Sequence, residues 1–302
     1  MVVGLAAGLG AGVLWGLTFV APAMVAPWTP TQLTLLRFGV FGLSACVVLA
    51  ASPRASWWPV LRRHWARLLV LGLTGYTLYY LLLAEAVRLA GPALPTLVIG
   101  TLPVVMAVAG GLRRPGFRVG RFVLPAALIL AALALRLQSA EPGAGGGALA
   151  GLGLALLALA SWTFYGLANA EFLAARPAIG ASAWTALTGV ATLATLPPLA
   201  LLRPADEVFG WPAGADLAVL MGWSAALAWL ASWLATWLWN VASGRVPGEM
   251  LGYLIVSETV FGLLYAMAAA WHLPTGVELL GIALLIGGVV LGLAAAPKPA
   301  NG

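Results

Sequence analysis

The feature that most constrains the fold is a series of apolar stretches, each about twenty residues long, that recurs along the whole chain. A helix needs ~20 mostly apolar residues to cross the hydrocarbon core of a bilayer. Backbone polar groups in lipid must be satisfied within each segment, so these stretches are predicted to be helices. The sequence therefore predicts an all-α integral membrane protein with ten transmembrane helices. The predicted spans are residues 3–21, 31–50, 68–87, 92–112, 120–138, 148–170, 181–201, 217–240, 248–269 and 276–295.

The composition agrees with a surface that faces lipid. Of 302 residues, 62% are hydrophobic and 8% are charged, whereas a soluble domain has about 25% charged residues. The net charge of +6 comes from short basic clusters between the spans, so it does not indicate a nucleic-acid partner. The single cysteine, Cys46, lies in an apolar span and indicates neither a disulfide nor a metal site. The first span lacks the basic flank of a secretory signal and is expected to be a retained helix.

Basic residues between the spans predict the orientation of the chain, because cytoplasmic loops carry an excess of Lys and Arg. With the N-terminus placed inside, the outer loops and span ends hold only Arg88, Arg136 and Arg203. Ten spans return the chain to its starting side, so both termini are predicted to be cytoplasmic. The predicted inner loops hold Arg54, Arg62, Arg63, Arg67, Arg113, Arg114, Arg118, Arg121, Arg176, Arg245 and Lys298.

The two halves of the chain show weak internal similarity. Trp15 aligns with Trp162, and residues 83–92 align with residues 238–247 in the same order. The glycine-rich segment 141–147 lies between the halves and divides the spans into five and five. The alternative is that any two apolar helices share such matches by composition alone.

A true repeat would place its units at residues 1–142 and 148–302. Because five spans is an odd number, the second unit would enter the membrane inverted relative to the first. Inverted repeats of this kind are typical of secondary transporters, whose substrate sites lie near the midplane between the repeats.

Several motifs resemble the drug/metabolite transporter superfamily with paired EamA-type repeats, over essentially the whole chain. Each motif is loose, but their order and spacing agree with the family. Within it, the tryptophan-rich composition and the segment SWTFYGLANAEFL at 161–173 are similar to YddG-type exporters of aromatic amino acids. The resembling motifs are LWGLTF at 14–19, LLRFG at 35–39, LPVVMAV at 102–108, SETVFGLL at 257–264 and GIALLIGGVVLGL at 281–293.

The resemblance implies a multi-pass protein of a bacterial-type inner membrane that exports aromatic amino acids and amphiphilic drugs such as methyl viologen. It also implies a basket of helices around a central cavity that opens alternately to each side. One departure concerns the ninth span, where EamA repeats usually read Glu-Pro but Glu258 is followed by Thr259. A helix-bending role for that proline therefore does not transfer to this chain.

Aromatic residues form the first group of candidate substrate-binding residues. Tyr76, Tyr79 and Tyr80 share one helical face near mid-membrane, where phenolic hydroxyls exposed to lipid would be costly. They are expected to face the bundle interior, either as a cavity wall that stacks on flat substrates or in helix packing. The other aromatic candidates are Trp15, Trp162 and Tyr165.

Small polar groups within the spans form the second group of candidates. They are expected to orient the charged ends of a zwitterionic substrate. The members are Thr18, Thr96, Asn169 and Ser257.

Three charged residues are candidates for coupling or structural roles, since a charge at the centre of a membrane helix costs at least ~2.5–3.5 kcal/mol. Arg37 is expected either to contact a substrate carboxylate or, the favoured alternative, to bond to carbonyls or loop groups near the outer surface. For Glu85 a structural role is favoured. Glu258 either carries protons or stays neutral and bonds to a neighbouring helix, and the sequence leaves both open.

Trp229, Trp233 and Trp237 form a stripe on the eighth span. Contact with lipid or packing in a dimer is favoured for most of this stripe, and the sequence leaves lipid, partner and cavity open. It also leaves open the oligomeric state, for which one copy could suffice, the conformational state, and whether transport is facilitative or coupled to protons.

Enzymatic functions are not indicated. The sequence offers no His/Cys/Asp cluster for a metal, no Ser-His-Asp set and no phosphate-binding glycine loop, so neither an enzyme nor a cofactor is expected. The sequence predicts a secondary transporter that exports aromatic amino acids and related flat amphiphiles by alternating access. The alternatives are another cargo (a nucleotide sugar, a quaternary amine or a short acid) and a membrane scaffold without transport.

Overall fold

The computed structural model describes residues 1–112, 117–138, 145–175, 179–243, 245–246, 248–271 and 273–295. Within these ranges every regular element is a helix, as the sequence predicts. Residues 141–144 of the predicted divider lie outside the described ranges, as do Arg113, Arg114, Arg176 and Lys298 of the predicted inner loops. The α-helices are α1 (Val2–Met24), α2 (Pro30–Ala51), α3 (Arg54–Gly72), α4 (Leu78–Ala90), α5 (Ala93–Ile99), α6 (Leu102–Gly111), α7 (Val123–Gln138), α8 (Gly145–Ala174), α9 (Ala181–Leu202), α10 (Ala205–Phe209), α11 (Leu217–Ala226), α12 (Ala235–Ser243), α13 (Gly248–Ala270) and α14 (Gly276–Ala295).

Two short π-helical segments interrupt this series of α-helices. The first π segment, Leu73–Thr77, joins α3 to α4, and the second π segment, Leu227–Leu234, joins α11 to α12. π-Helical turns are rare and frequently occur at functional sites. Each segment rotates the side chains that follow it around the helix axis, compared with an uninterrupted α-helix.

Nine helical stretches within the described residues are long and apolar enough to cross a membrane. The predicted ninth span corresponds to α13, of which the described apolar part is the shorter stretch Leu254–Ala270. The nine stretches are Val2–Met24, Pro30–Ala51, Arg54–Ala90, Ala93–Gly111, Val119–Leu137, Gly147–Leu173, Ser182–Leu202, Leu217–Trp239 and Gly276–Ala295.

The third predicted span begins earlier than the sequence indicates. The helical stretch starts at Arg54 rather than at residue 68 and bends at His64, where φ is −125°. Arginines occupy this early part, so its mean hydropathy does not mark it as membrane-spanning, although its backbone is helical. Hydropathy therefore located the apolar part of the helix and missed its polar beginning.

The fourth predicted span is divided into two helices rather than one. α5 ends at Ile99 and α6 begins at Leu102, with Gly100 and Thr101 between them. Pro103 has no backbone N–H and cannot donate the helical hydrogen bond to the carbonyl of Ile99. The proline therefore explains the break.

The helices pack in a small number of close pairs. α1 packs against α13 and against the stretch from the second π segment to α12, while α8 packs against α4 and against α5 and α6. α2 packs against α9, and α7 packs against α14.

Glycines on one face of α1 permit its close contact with α13. Gly8, Gly12 and Gly16 recur every four residues, and a Cβ placed on Gly16 would lie 2.9 Å from the backbone nitrogen of Gly262. Small residues let membrane helices approach closely enough for their backbones to pack. This face holds α13, which carries Glu258, against α1, which carries Trp15.

Polar contacts close the bundle at the end where α2 begins and α9 ends. Trp28 Nε1 donates to the carbonyl of Asp216 at 2.9 Å, and Gln32 Nε2 donates to the carbonyl of Gly210 at 2.7 Å. These bonds join the start of α2 to the segment between α9 and α11. They satisfy backbone carbonyls that the connecting segment would otherwise leave unpaired.

Candidate functional site

A cavity of about 770 Å³ lies inside the bundle, within the usual range of ~300–1,000 Å³ for small-molecule sites. Its lining includes Leu173 and Ile179 on either side of the α8–α9 connection, and Leu293 near the end of α14. The cavity therefore extends toward the end of the bundle where α9 begins. The polar contacts at the end of α9 lie at the opposite end.

A continuous aromatic wall forms one side of this cavity. Tyr79 and Trp162 have ring centroids 6.3 Å apart, Trp162 and Tyr165 are 5.7 Å apart, and Tyr165 and Tyr76 are 5.7 Å apart. Behind them, Phe41 stacks on Tyr76 at 5.6 Å with an interplanar angle of 15°. All four wall residues are predicted candidates, and the structure brings them together across α8, the first π segment and α4.

The first π segment creates the space that this wall needs. It contains Gly75, and a Cβ at that position would overlap the ring of Tyr165. The close approach also brings the hydroxyl oxygens of Tyr76 and Tyr165 within 3.4 Å of each other. The position of Tyr165 at the cavity therefore depends on Gly75 of the first π segment, which has no side chain.

A second aromatic group lines the cavity from α1 and α12. Trp15 and Trp239 have ring centroids 5.5 Å apart, and both line the cavity. Thr18 also lines it, and its hydroxyl donates to the carbonyl of Trp15 at 2.7 Å. The predicted candidates Trp15 and Thr18 are thus both at the cavity.

Arg37 lies in the cavity wall and is 6% exposed. Its guanidinium carbon lies 4.1 Å from the ring centroid of Tyr80 and 5.0 Å from that of Phe38. Its Nη2 donates to Ser232 Oγ at 3.4 Å, and Ser232 donates to the carbonyl of Leu227 at 3.2 Å. The predicted bonds from Arg37 to backbone carbonyls or loop groups are not observed among the described residues.

Asn169 lies at the cavity beside residues of α9. Its Oδ1 accepts a hydrogen bond of 2.9 Å from Trp184 Nε1, and Thr185 and Thr188 continue the same lining. Part of the hydrogen-bonding capacity of Asn169 is therefore used within the protein.

Several lining residues were not among the sequence-based candidates. The threonines on α9 recur at a spacing of three or four residues inside an apolar span, which is a signal that could have identified them. The residues near the second π segment gave no comparable signal. The missed residues include Trp184, Thr185, Thr188, Ser232, Thr236 and Trp239.

Glu258 lines the cavity from α13. Gly12 of α1 lies against its backbone, since a Cβ on that glycine would be 2.9 Å from the nitrogen of Glu258. No described residue forms a salt bridge or hydrogen bond with its carboxyl group. α13 continues through Thr259 as one helix, without an interior proline.

Two polar candidates lie away from the cavity, contrary to the expectation that they would meet a substrate there. Thr96 is fully buried, and its hydroxyl donates to the carbonyl of Pro92 at 2.7 Å. Ser257 donates to the carbonyl of Leu254 at 2.6 Å and faces Gly12. Both hydroxyls are satisfied by their own helices, so they support helix packing rather than the cavity lining.

Glu85 also lies away from the cavity, among charged residues at the polar end of the bundle. Its carboxylate accepts from Arg88 Nε at 2.7 Å and from Arg203 Nη2 at 3.0 Å. Arg203 pairs in addition with Glu207 and donates from Nε to Thr31 Oγ1 at 3.1 Å. This arrangement corresponds to the structural role that the sequence favours for Glu85.

The tryptophan stripe of the eighth span does not form one uniform face. Trp229 and Trp237 are 55% and 60% exposed, while Trp233 packs on Phe41 with ring centroids 5.5 Å apart. Trp229 Nε1 donates to Ser44 Oγ at 3.2 Å. The stripe thus divides between the outer surface of the bundle and its core.

A bundle of membrane-length helices around an internal cavity has the architecture of a multi-pass membrane transporter. One solved crystal structure has the same fold, with a TM-score of 0.64 and 22% identity over 97% of this chain and 98% of that chain. The sequence of residues 2–137 matches the EamA-like transporter family.

Curated relatives align over nearly the whole length of the chain. It is 32% identical to the inner membrane protein YtfF of Escherichia coli K12, covering 99% of this chain and 97% of that protein. It is 27% identical to the aromatic amino acid exporter YddG of Ancylobacter novellus, covering 94% of each. The chain belongs to the EamA-like transporter family and is a multi-pass inner-membrane protein. Because proteins of this family are transporters, the prediction that the chain is not an enzyme is confirmed.

Proposed function

We propose that this protein exports aromatic amino acids and related flat amphiphiles from the cytoplasm by alternating access through the central cavity. The observation that carries the proposal is the aromatic wall of Tyr76, Tyr79, Trp162 and Tyr165 along a cavity of about 770 Å³. Aromatic pairs contribute about 0.5–1.5 kcal/mol beyond their buried area. A flat ring would therefore gain more from this wall than an aliphatic side chain of equal area.

The relative YddG, which is named as an aromatic amino acid exporter, supports this choice of cargo. At 27% identity, this relative supports an aromatic cargo less strongly than membership of the family supports transport in general. The cavity lining gives independent support, since its residues combine aromatic rings with hydroxyl and amide groups.

The proposal includes ten transmembrane helices in two inverted repeats, residues 1–142 and 148–302. Two features of the packing support it. The alignment of 83–92 with 238–247 superimposes the first π segment on residues 228–232, which lie inside the second π segment. The helix contacts also correspond, because the first helix of each proposed repeat packs against the third and fourth helices of the other repeat.

The proposed orientation places both termini in the cytoplasm, because the basic residues concentrate in loops on that side. The cavity then extends toward the cytoplasmic end, where the α8–α9 connection and the end of α14 lie. The salt bridges of Arg203 close the external end. This geometry supports a state that accepts substrate from the cytoplasm, and a rocking of the two repeats would release it outside.

Transport in proteoliposomes tests the proposal. Liposomes that contain the purified protein and unlabelled phenylalanine should accumulate labelled Phe or Trp by exchange, and Trp162→Ala should lower the initial rate at least about tenfold because it removes the centre of the aromatic wall. The matched control is Trp237→Ala, which removes a 60% exposed tryptophan and should leave the rate unchanged. Wild-type protein that moves neither amino acid faster than empty liposomes would disprove the proposal.

The same variants separate a transporter from a membrane scaffold. A transporter loses exchange in Trp162→Ala at normal expression and normal elution from size-exclusion chromatography. A scaffold in which Trp162 only supports packing would instead lose folding or assembly.

Glu258 favours one further class of cargo, flat organic cations. A carboxyl group that no described residue pairs with, at an aromatic cavity, is suited to a quaternary amine, which aromatic faces also attract. A competition panel that includes methyl viologen, aromatic amino acids and a nucleotide sugar would rank these classes against each other.

A further inference from the structure

Arg37 is a buried cation at the cavity, and no described carboxylate pairs with it. It is 6% exposed, and the salt bridges among the described residues all lie at Glu85 and Glu207. Within the described ranges, the side-chain hydrogen bond that Arg37 donates is the 3.4 Å contact with Ser232. A guanidinium stays charged in proteins, so the charge of Arg37 requires compensation that the described residues supply only in part.

The unused donors of this cluster are specific. Arg37 Nε and the hydroxyl of Tyr80 are both buried, and neither has a hydrogen-bond partner in the part of the chain that the structure describes. The ring of Tyr80 lies 4.1 Å from the guanidinium carbon, which offers a cation–π contact but accepts no hydrogen bond from Nε. Buried polar groups are nearly always paired in native proteins, so unpaired donors at a cavity indicate a ligand that supplies acceptors.

A carboxylate is the ligand group that fits these donors. The planar guanidinium presents paired N–H groups that match the two oxygens of a carboxylate in a bidentate contact. The hydroxyl of Tyr80 lies beside it and can donate to a carboxylate. Ser232, whose own proton goes to the carbonyl of Leu227, accepts from Arg37 and holds the guanidinium in place. Phe38, 5.0 Å from the guanidinium carbon, and the aromatic wall provide apolar surface nearby for the rest of the molecule.

We propose that Arg37, with Ser232 and Tyr80, forms a carboxylate subsite, so that the cargo of this transporter must combine a carboxylate with a flat ring. This inference rests on the proposed function, whose cargo it narrows from flat amphiphiles in general to aromatic acids and amino acids. The ring lies on the wall of Tyr79, Trp162 and Tyr165 while the carboxylate binds Arg37. Amines that lack a carboxylate gain nothing from Arg37.

Three probes that share a phenyl ring test the subsite. Phenylalanine carries both charged groups, 3-phenylpropionate carries only the carboxylate, and phenethylamine carries only the amine. The affinity of each is measured by isothermal titration calorimetry on the full chain in detergent, for wild type and Arg37→Gln. Arg37→Gln should lower the affinity for phenylalanine and for 3-phenylpropionate about tenfold to a hundredfold, the range expected for a hydrogen bond to a charged group. The affinity for phenethylamine should stay unchanged.

Three further variants make the result specific. Arg37→Lys keeps the charge but loses the bidentate geometry. It should therefore cause an intermediate loss of affinity for phenylalanine and 3-phenylpropionate, the two probes that carry a carboxylate. Ser232→Ala should give a smaller loss with the same selectivity, and it carries the test if the Arg37 variants fail to fold. The matched control Arg62→Gln removes an exposed arginine of α3 and should change none of the affinities. An equal loss for all three probes, or no loss for the carboxylates, would overturn the subsite.

The test distinguishes this inference from the proposed function. If 3-phenylpropionate binds in an Arg37-dependent manner but no aromatic amino acid is transported, the subsite stands and the exporter proposal fails. If labelled phenylalanine is transported and its affinity is the same in Arg37→Gln, the exporter stands and the subsite fails.

Discussion

The charged side chains that line the cavity lie on opposite repeats in the proposed arrangement. Among the described lining residues they are Arg37 on α2 and Glu258 on α13. One basic and one acidic side chain suit a zwitterion better than a cargo of high net charge. A nucleotide sugar carries a negatively charged diphosphate. In the described lining it would find one cation, Arg37, and an acidic group, Glu258, that does not favour a negative charge.

Glu258 gives the first prediction at the level of single residues. Its carboxyl group lines the cavity without a partner among the described residues. It can therefore exchange a proton with whichever side the cavity opens to, as intramembrane acids do in coupled transporters. Glu258→Gln should therefore abolish the acceleration of phenylalanine transport by an imposed pH gradient, while exchange without a gradient continues. The measurement is the initial rate in proteoliposomes with and without the gradient.

Glu171→Gln is the matched control for this prediction, because Glu171 is exposed on α8. It should leave the acceleration intact. An acceleration of equal size in wild type and Glu258→Gln would show that Glu258 is not the coupling group.

The aromatic part of the site could be predicted from sequence, but much of the polar part could not. Tyr76 and Tyr79 are expected from sequence to face the bundle interior, because phenolic hydroxyls at mid-membrane depth are costly in lipid. Thr96 and Ser257 carried no such information, since a Thr or Ser hydroxyl can donate to a carbonyl three or four residues earlier in its own helix. The rotation of such a helix is then set by its neighbours.

At the level of helices, the π segments decide which residues reach the cavity. Neither segment is evident from hydropathy, because each lies inside a longer helical stretch that is apolar enough to cross a membrane. In the eighth span the tryptophans at 229, 233 and 237 follow an α-helical spacing, yet Trp233 is partly buried against the core while Trp229 is exposed. A sequence therefore predicts that such a span exists more securely than it predicts the face on which each residue lies.

Gly75 in the first π segment gives a prediction at this scale. In Gly75→Ala the added methyl would overlap the ring of Tyr165 and push α8 away from the segment. Overpacking of this kind costs about 1–3 kcal/mol, and the displaced ring would no longer contact Tyr76. We expect a lower midpoint of thermal unfolding in detergent and a transport rate reduced at least about tenfold.

Gly222→Ala is the corresponding control, since Gly222 lies on α11 with open space where a Cβ would be. It should change neither the unfolding midpoint nor the rate. If both glycine variants behave alike, the contact between Gly75 and Tyr165 does not position the wall.

For the whole molecule, alternating access requires that the polar end of the bundle open. Arg203 connects three helices at this end, because it contacts Glu85 on α4, Glu207 on α10 and Thr31 on α2. The two ion pairs of Arg203 are partly exposed, and an ion pair at a protein surface contributes about 0.2–1 kcal/mol. Losing the two pairs of Arg203 should therefore shift the balance between closed and open states about twofold to thirtyfold toward open.

Arg203→Gln should consequently make the interior accessible from outside the cell. The reporter is Ser224→Cys in a Cys46→Ser background, because Ser224 is fully buried on α11, which starts at the polar end. A membrane-impermeant maleimide added to intact cells should label this cysteine slowly when Arg203 is present. Labelling should become about twofold to thirtyfold faster in Arg203→Gln, in proportion to the open population.

Arg88→Gln separates a gate from a general effect of charge at this end. Arg88 pairs with Glu85 one turn away on the same helix, so its loss removes an ion pair without breaking a contact between helices. Its labelling rate should equal that of the parent. If Arg88→Gln accelerates labelling as much as Arg203→Gln, the effect comes from the local potential. If neither does so in folded protein, the contacts of Arg203 do not hold the external end closed, and the aromatic and polar packing around Trp28 must do so instead.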